Sequence, residues 1–83
     1  VNQAIQFPDR EWWDETEKAV CFPALVNGFL LTCAISGETM VRRYGNELAI
    51  VPCFLAHRWD LEDEAEASIK DAQENDQGWV WLS

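Results

Sequence analysis

The chain has 83 residues, 48% of them hydrophobic and 25% charged, the balance of a folded globular domain and not of a disordered one. Fifteen acids against six Lys and Arg give a net charge of −9, which opposes binding to phosphate backbones and to anionic membrane surfaces. No apolar run approaches the roughly 20 residues needed to cross a bilayer, and three cysteines without paired spacing do not make a disulfide framework.

A reducing, cytoplasmic setting suits those cysteines. Val1-Asn2-Gln3 shows neither the basic nor the apolar part of an export signal. Residues 1–83 are expected to form a single domain.

Gln3 to Phe7 is strand-like and is stopped by Pro8-Asp9. Arg10 to Glu17 reads as an acidic connecting loop whose Trp12 and Trp13 pin it to the core. The strongest local pattern follows. Lys18–Val26 and Phe29–Ile35 are apolar runs separated by Asn27-Gly28, a type I′ hairpin turn in which both central residues need positive φ. A two-residue loop fixes the register, pairing Val26 with Phe29, Phe22 with Cys33 and Val20 with Ile35. Cys33 then lies on the face of Val20 and Phe22 while Cys21 lies on the other, so both thiols are expected to be free. Pro23 has no N–H to donate, so the outer side of its strand should be an edge or bulge there. The N-terminal strand is expected to pair with residues 18–22.

Ser36 to Gly45 reads as a short helix. Ser36 is the N-cap, Glu38 sits in the first turn, Arg42 and Arg43 in the last, and Gly45 at C′. Asn46 to Val51 is an apolar connection of unassigned conformation. Pro52 opens a longer helix to about Gln73, with Phe54, Leu61, Ala65, Ile69 and Ala72 as its apolar stripe and Arg58 within it. Asn75 to Gly78 is a turn. Trp79 to Leu82 is a final strand, with Trp79 and Trp81 on one face and Val80 and Leu82 on the other. The expected fold is α+β, in the order β-β-β-α-α-β: two layers, with an antiparallel four-stranded sheet and two helices packed on one face. The hairpin is apolar on both faces. Its second face must be covered by the Trp12-Trp13 loop, a second copy or a partner, and a homodimer is the favoured expectation.

Several segments, in this order, carry a resemblance: Ile5-Gln6-Phe7-Pro8, Ala19-Val20-Cys21-Phe22, Gly28 leading to Cys33-Ala34-Ile35, Arg58-Trp59-Asp60-Leu61-Glu62-Asp63-Glu64-Ala65-Glu66, and Asp76-Gln77-Gly78. Together they resemble the small bacterial proteins of domain-of-unknown-function family 1488, over nearly the whole chain. The resemblance implies a two-layer α+β domain in the bacterial cytoplasm. It implies no established activity, cofactor or catalytic residue. At Asn46–Val51 the sequence departs from it, being shorter and less polar there than many members.

Candidate chemistry is sparse. His57, the single histidine, has no Ser, Cys or Asp at a triad-like spacing, and a helix-surface imidazole accounts for it. Cys53 and His57 stand four apart on the expected helix, but two ligands do not make a metal site. No catalytic, cofactor-binding or metal-ligating residue is therefore assigned. The run Asp60–Asp76 holds eight acids and one Lys. It lacks the Gly and alternating Asp of a Ca²⁺ loop. It is either the solvated face of an amphipathic helix or a docking face for a basic protein, with Glu62, Asp63 and Glu66 as its candidates. Arg42, Arg43 and Arg58 are read either as helix-end and ion-pair partners or as a small anion pocket. Trp79 and Trp81 serve packing or partner binding. The leading expectation is a non-enzymatic macromolecular-interaction module without cofactor, homodimeric and not membrane-bound. A nucleic-acid- or nucleotide-associated regulator using the arginines is the alternative, and a small enzyme of unknown class comes third.

Overall fold

Asn27 and Gly28 have φ of 51° and 85°, the left-handed pair that a type I′ turn demands. The turn joins two long strands. The computed structural model describes residues 5–71 and 78–83. In chain order these form β1 (Ile5–Gln6), β2 (Trp12–Asp14), β3 (Ala19–Val26), β4 (Phe29–Ser36), α1 (Gly37–Tyr44), α2 (Ile50–Ala56), α3 (Arg58–Lys70) and β5 (Trp79–Leu82). The β3–β4 register is the expected one, with Val26 opposite Phe29, Phe22 opposite Cys33 and Val20 opposite Ile35. All three cysteines are free and buried, and Cys21 and Cys33 lie on opposite faces. The expected residues Gln3–Ala4, Ala72–Gln73 and Asn75–Gln77 lie outside the described residues.

The α+β class holds, with helices packed on a mostly antiparallel sheet. Its details differ from the expectation in four ways. The first concerns β5, which pairs with β4 in parallel, Thr32 opposite Trp79 and Ile35 opposite Leu82. Three helices lie between these strands, and a crossover of that kind returns the chain in the direction it left. The sheet is therefore mixed.

The second difference is that β1 pairs with the end of β3, Ile5 opposite Val26 and Gln6 opposite Leu25, and not with residues 18–22. The third follows from it. The expected loop contains β2, which takes that earlier place, Trp12 opposite Cys21 and Asp14 opposite Ala19. Between β1 and β2, residues 7–11 lie opposite residues 22–24. The sheet edge therefore opens beside Pro23, where no N–H could have closed it. Phe7 uses the detour to pack on Phe22, 6.2 Å between ring centroids.

The fourth difference is that the long helix is two helices. α2 starts ahead of Pro52, at Ile50, and ends at His57 (φ −115°, ψ 16°), where α3 begins. The His57 N–H is shared between the carbonyls of Cys53 and Phe54, at 3.2 and 3.1 Å. This tightened turn lets Phe54 pack on Phe22, 5.1 Å between centroids, while Arg58 turns towards the β1–β2 detour. α1 forms as expected. The Thr39 N–H donates to Ser36 Oγ at 3.0 Å, and the Gly45 N–H to the Val41 carbonyl at 2.8 Å.

The two faces of the sheet are covered differently. On the inner face, Val20, Phe22, Ala24, Cys33, Ile35, Val80 and Leu82 meet Met40, Phe54, Leu61, Ala65 and Ile69 of the helices. On the outer face, Ala19, Cys21 and Ala34 are fully buried with Trp79 and Trp81 packed against them. The chain thus supplies from its own last strand much of the cover expected of a loop or a second copy. Trp13 joins the inner core, whereas Trp12 is exposed.

Candidate functional site

α3 buries Arg58, Leu61, Ala65 and Ile69 at helical spacing. The opposite side of the helix exposes Trp59, Asp60 and Asp63. Its acids fall into two groups. Glu62 binds Arg58 Nε at 2.7 Å, Glu64 takes Arg43 in a two-point contact at 2.7 and 2.9 Å, and Glu66 pairs with Lys70 at 2.9 Å. Asp60 and Asp63 have no ion-pair partner among the described residues.

Arg58 is a clasp. Its Nη1 donates to Glu11 Oε1 at 2.8 Å, and its Nη2 to the carbonyls of Pro8 and Arg10 at 2.9 and 3.0 Å. The guanidinium carbon stands 5.4 Å from the Phe54 ring centroid. One side chain thus satisfies the carbonyls of the β1–β2 detour and ties it to α3. Arg43 plays a parallel part, joining α1 to Glu64 of α3 and donating to the Ser83 carbonyl beyond β5. The Glu64 carboxylate raises the pKa of the Arg43 guanidinium further, keeping it cationic. Arg42 is exposed. The three candidate anion-binding arginines therefore have separate surroundings, and two of them are already engaged by carboxylates.

A surface cleft of about 360 Å³ lies at the α2–α3 junction, lined by Leu55, Ala56, His57, Arg58, Trp59 and Asp60. Trp59 is 81% exposed and Leu55 48%. The His57 ring stacks on Tyr44, 3.8 Å between centroids and 10° from parallel. Among the described residues no hydroxyl, thiol or carboxylate hydrogen-bonds that ring, and no group of three or more His, Cys, Asp and Glu is placed to hold a metal. The cleft sets an exposed indole beside the Asp60 carboxylate, and among the described residues no nucleophile is hydrogen-bonded to a base there.

Trp79 and Trp81, 5.6 Å apart, sit on the outer face of the sheet, whereas Glu62, Asp63 and Glu66 ride on a helix packed against the inner face. The fold separates these two sets. Of the three acids, Asp63 alone is exposed and, among the described residues, without an ion-pair partner. Trp59, Leu55 and Asp60 were not singled out as site residues in the sequence. The signal was there for Trp59: it falls off the stripe formed by Phe54, Leu61, Ala65 and Ile69, so helical spacing alone turns it to water.

These features define a small α+β protein with a Trp-lined outer sheet face and an acidic helix on the other side. The family model described as "Protein of unknown function (DUF1488)" matches residues 5–82, and the chain belongs to that family. It is 61% identical to the "Uncharacterized protein YrdB" of Escherichia coli (strain K12), over 99% of both chains. It is 60% identical to the protein of the same name in Shigella flexneri, again over 99% of both. A crystal structure of a DUF1488-family protein of unknown function from Shewanella loihica PV-4 shares the fold, with a TM-score of 0.91 at 24% identity, over 99% of this chain and 94% of that one. Among the described residues no helix is long and apolar enough to cross a membrane.

Proposed function

We propose that the protein is a non-enzymatic interaction module of the cytoplasm that docks a basic protein on the outward side of α3. Trp59 is the apolar anchor, with Asp60 and Asp63 as the charged contacts beside it. The observation that carries this reading is the exposure of Trp59, 81%, on the same side of α3 as Asp60 and Asp63, two carboxylates without an ion-pair partner among the described residues. Tryptophan is the side chain most often found at the energetic centre of interfaces, and its face attracts Lys and Arg. The net charge of −9 steers a cation-rich partner towards the surface from a distance. Glu62 and Glu66 add to that field while holding Arg58 and Lys70.

The test is an amide-NMR titration with a short helical peptide of alternating Lys, Arg and Leu. Shifts gathered at Leu55–Asp63 are expected. Binding should weaken more than tenfold in Trp59→Ala and again in Asp60→Lys with Asp63→Lys. Shifts elsewhere, or binding indifferent to these changes, would overturn the proposal. The same titration with a nucleotide or short RNA serves the alternative: perturbation centred on Arg42 would move the function to a nucleic-acid or nucleotide regulator. Partners captured from a native extract by wild type and lost by the double-lysine variant would then identify the pathway.

A further inference from the structure

Charge is distributed unevenly along this chain. Among the described residues, 5–8 and 19–36 contain no Asp, Glu, Lys or Arg, although the chain carries fifteen acids and six bases. The fold gathers much of this neutral sequence at one place. β1 pairs with Leu25 and Val26, so the turn end of the β3–β4 hairpin is flanked by another uncharged strand. At that end Phe29 is 74% exposed and Leu30 65%. Strand alternation puts them on opposite faces. Neither belongs to the core or packs against it, in contrast to Val26 and Leu31 beside them. The turn needs Asn27 and Gly28 for its backbone, but among the described residues no core contact requires an apolar side chain at position 29 or 30.

We infer that this hairpin end is where a second copy of the chain docks, Phe29 and Leu30 of each protomer packing against the other's. The occupant follows from charge. Two chains of −9 each repel wherever acids face acids, and the hairpin end lets them meet without that apposition. A basic partner gains no carboxylate there. An anionic membrane finds no Lys or Arg to hold it. A two-fold contact also needs a self-complementary patch, a condition that an uncharged patch with apolar side chains at its centre meets without matching charges. The patch is small, so the association is weak and concentration-dependent. It uses a different surface from Trp59, and the two proposals stand or fall separately.

Sedimentation equilibrium from micromolar to millimolar protein tests it, at low and high salt. The expected mass rises from monomer towards dimer, and more so at high salt, where repulsion between the acidic bodies is screened. Phe29→Ser with Leu30→Ser should stay monomeric throughout, while Trp59→Ala should dimerise like wild type. Circular dichroism checks that the serine variant is folded. As a readout on the wild type, amide shifts that change with concentration should be confined to Ile5 and Leu25–Leu31. A monomer at every concentration, a dimer untouched by the serine substitutions, or concentration-dependent shifts elsewhere would each overturn the inference. So would uptake of monomeric wild type by phosphatidylcholine vesicles through Phe29 and Leu30, which would make the hairpin end a membrane contact.

Discussion

The two faces of the sheet solve the same problem by different means. The inner face is built from large side chains and covered by separate helices, which must be held in place. Arg58 ties α3 to the β1–β2 detour, and Arg43 ties α1 to α3 and to the end of β5. The outer face has small residues at its centre, Ala19, Cys21 and Ala34, and its cover grows from the sheet itself as Trp79 and Trp81. There the ladder between β4 and β5 positions both indoles. A face covered by distant elements depends on long-range polar contacts. A face covered by its own neighbours depends on pairing and on small residues beneath the rings.

The comparison breaks most visibly at Phe54, which joins α2 to Phe22 at the centre of the inner face. Phe54→Ala should cost about 3–5 kcal/mol, measured as a fall in the urea midpoint. A loss below about 1 kcal/mol would show that the helices do not depend on this contact. Arg58→Ala should come next, at about 3 kcal/mol. It strands Glu11 and Glu62 as well as the carbonyls of Pro8 and Arg10. Exposed Arg42→Ala is the control, expected within about 0.5 kcal/mol. Equal losses in the two arginine variants would refute the clasp.

The outer face is sharpened by thiol chemistry. Trp81→Ala should open Cys21 to a water-soluble thiol reagent and leave Cys33, beneath the helices, protected. Mass spectrometry of the labelled cysteines would separate the two faces, and simultaneous labelling of both would mean that the cover is shared.

Alkaline pH gives the smallest effect and spans both faces. Burial pushes the Cys21 thiol up to about 11, with Asp14 and Glu17 adding to it. It pushes Cys33 up to about 12, helped by Cys21 and Glu62. An unfolded thiol titrates near about 8.5. Above that pH the unfolded chain loses protons that the folded chain keeps. Stability from these groups is therefore complete below about pH 8.5 and declines as pH rises through the folded values. Cys21→Ala with Cys33→Ala should flatten the decline in a thermal-melt series. An equally steep decline in that variant would place its origin elsewhere.

Local signals were legible wherever one residue's chemistry decides the backbone. Asn27-Gly28 fixed the turn and, through it, the register and the faces of Cys21 and Cys33. Ser36 and Gly45 fixed both ends of α1. The alternation in Trp79–Leu82 assigned each side chain to its face. What was not legible involved partners far away in sequence. Trp12–Asp14 lies in the acidic stretch Arg10–Glu17, which passes for a loop, and becomes a strand because β3 offers it an edge. The run from Pro52 looks continuous but breaks at His57, where Arg58 turns to carbonyls some fifty positions earlier. The site shows the same division. The acidity of α3 is plain in the sequence, and so is the i,i+4 spacing of Glu66 with Lys70, yet only the fold brings Arg43 of α1 to Glu64 and, among the described residues, leaves Asp60 and Asp63 without an ion-pair partner.

The sequence by itself determined the α+β class, the hairpin and its register, the cap residues of α1 and the pattern of apolar faces. These rest on φ preferences, hydrogen bonds a few residues apart and side-chain periodicity, all local. Tertiary structure alone decided the parallel seat of β5, the division of the sheet edge between β1 and β2 around Pro23, and the bend at His57. It also decided the long-range ion pairs, Arg43 with Glu64 and Arg58 with Glu11. Those outcomes depend on which distant groups meet, and the free energy of such meetings belongs to the assembled core and not to any single segment.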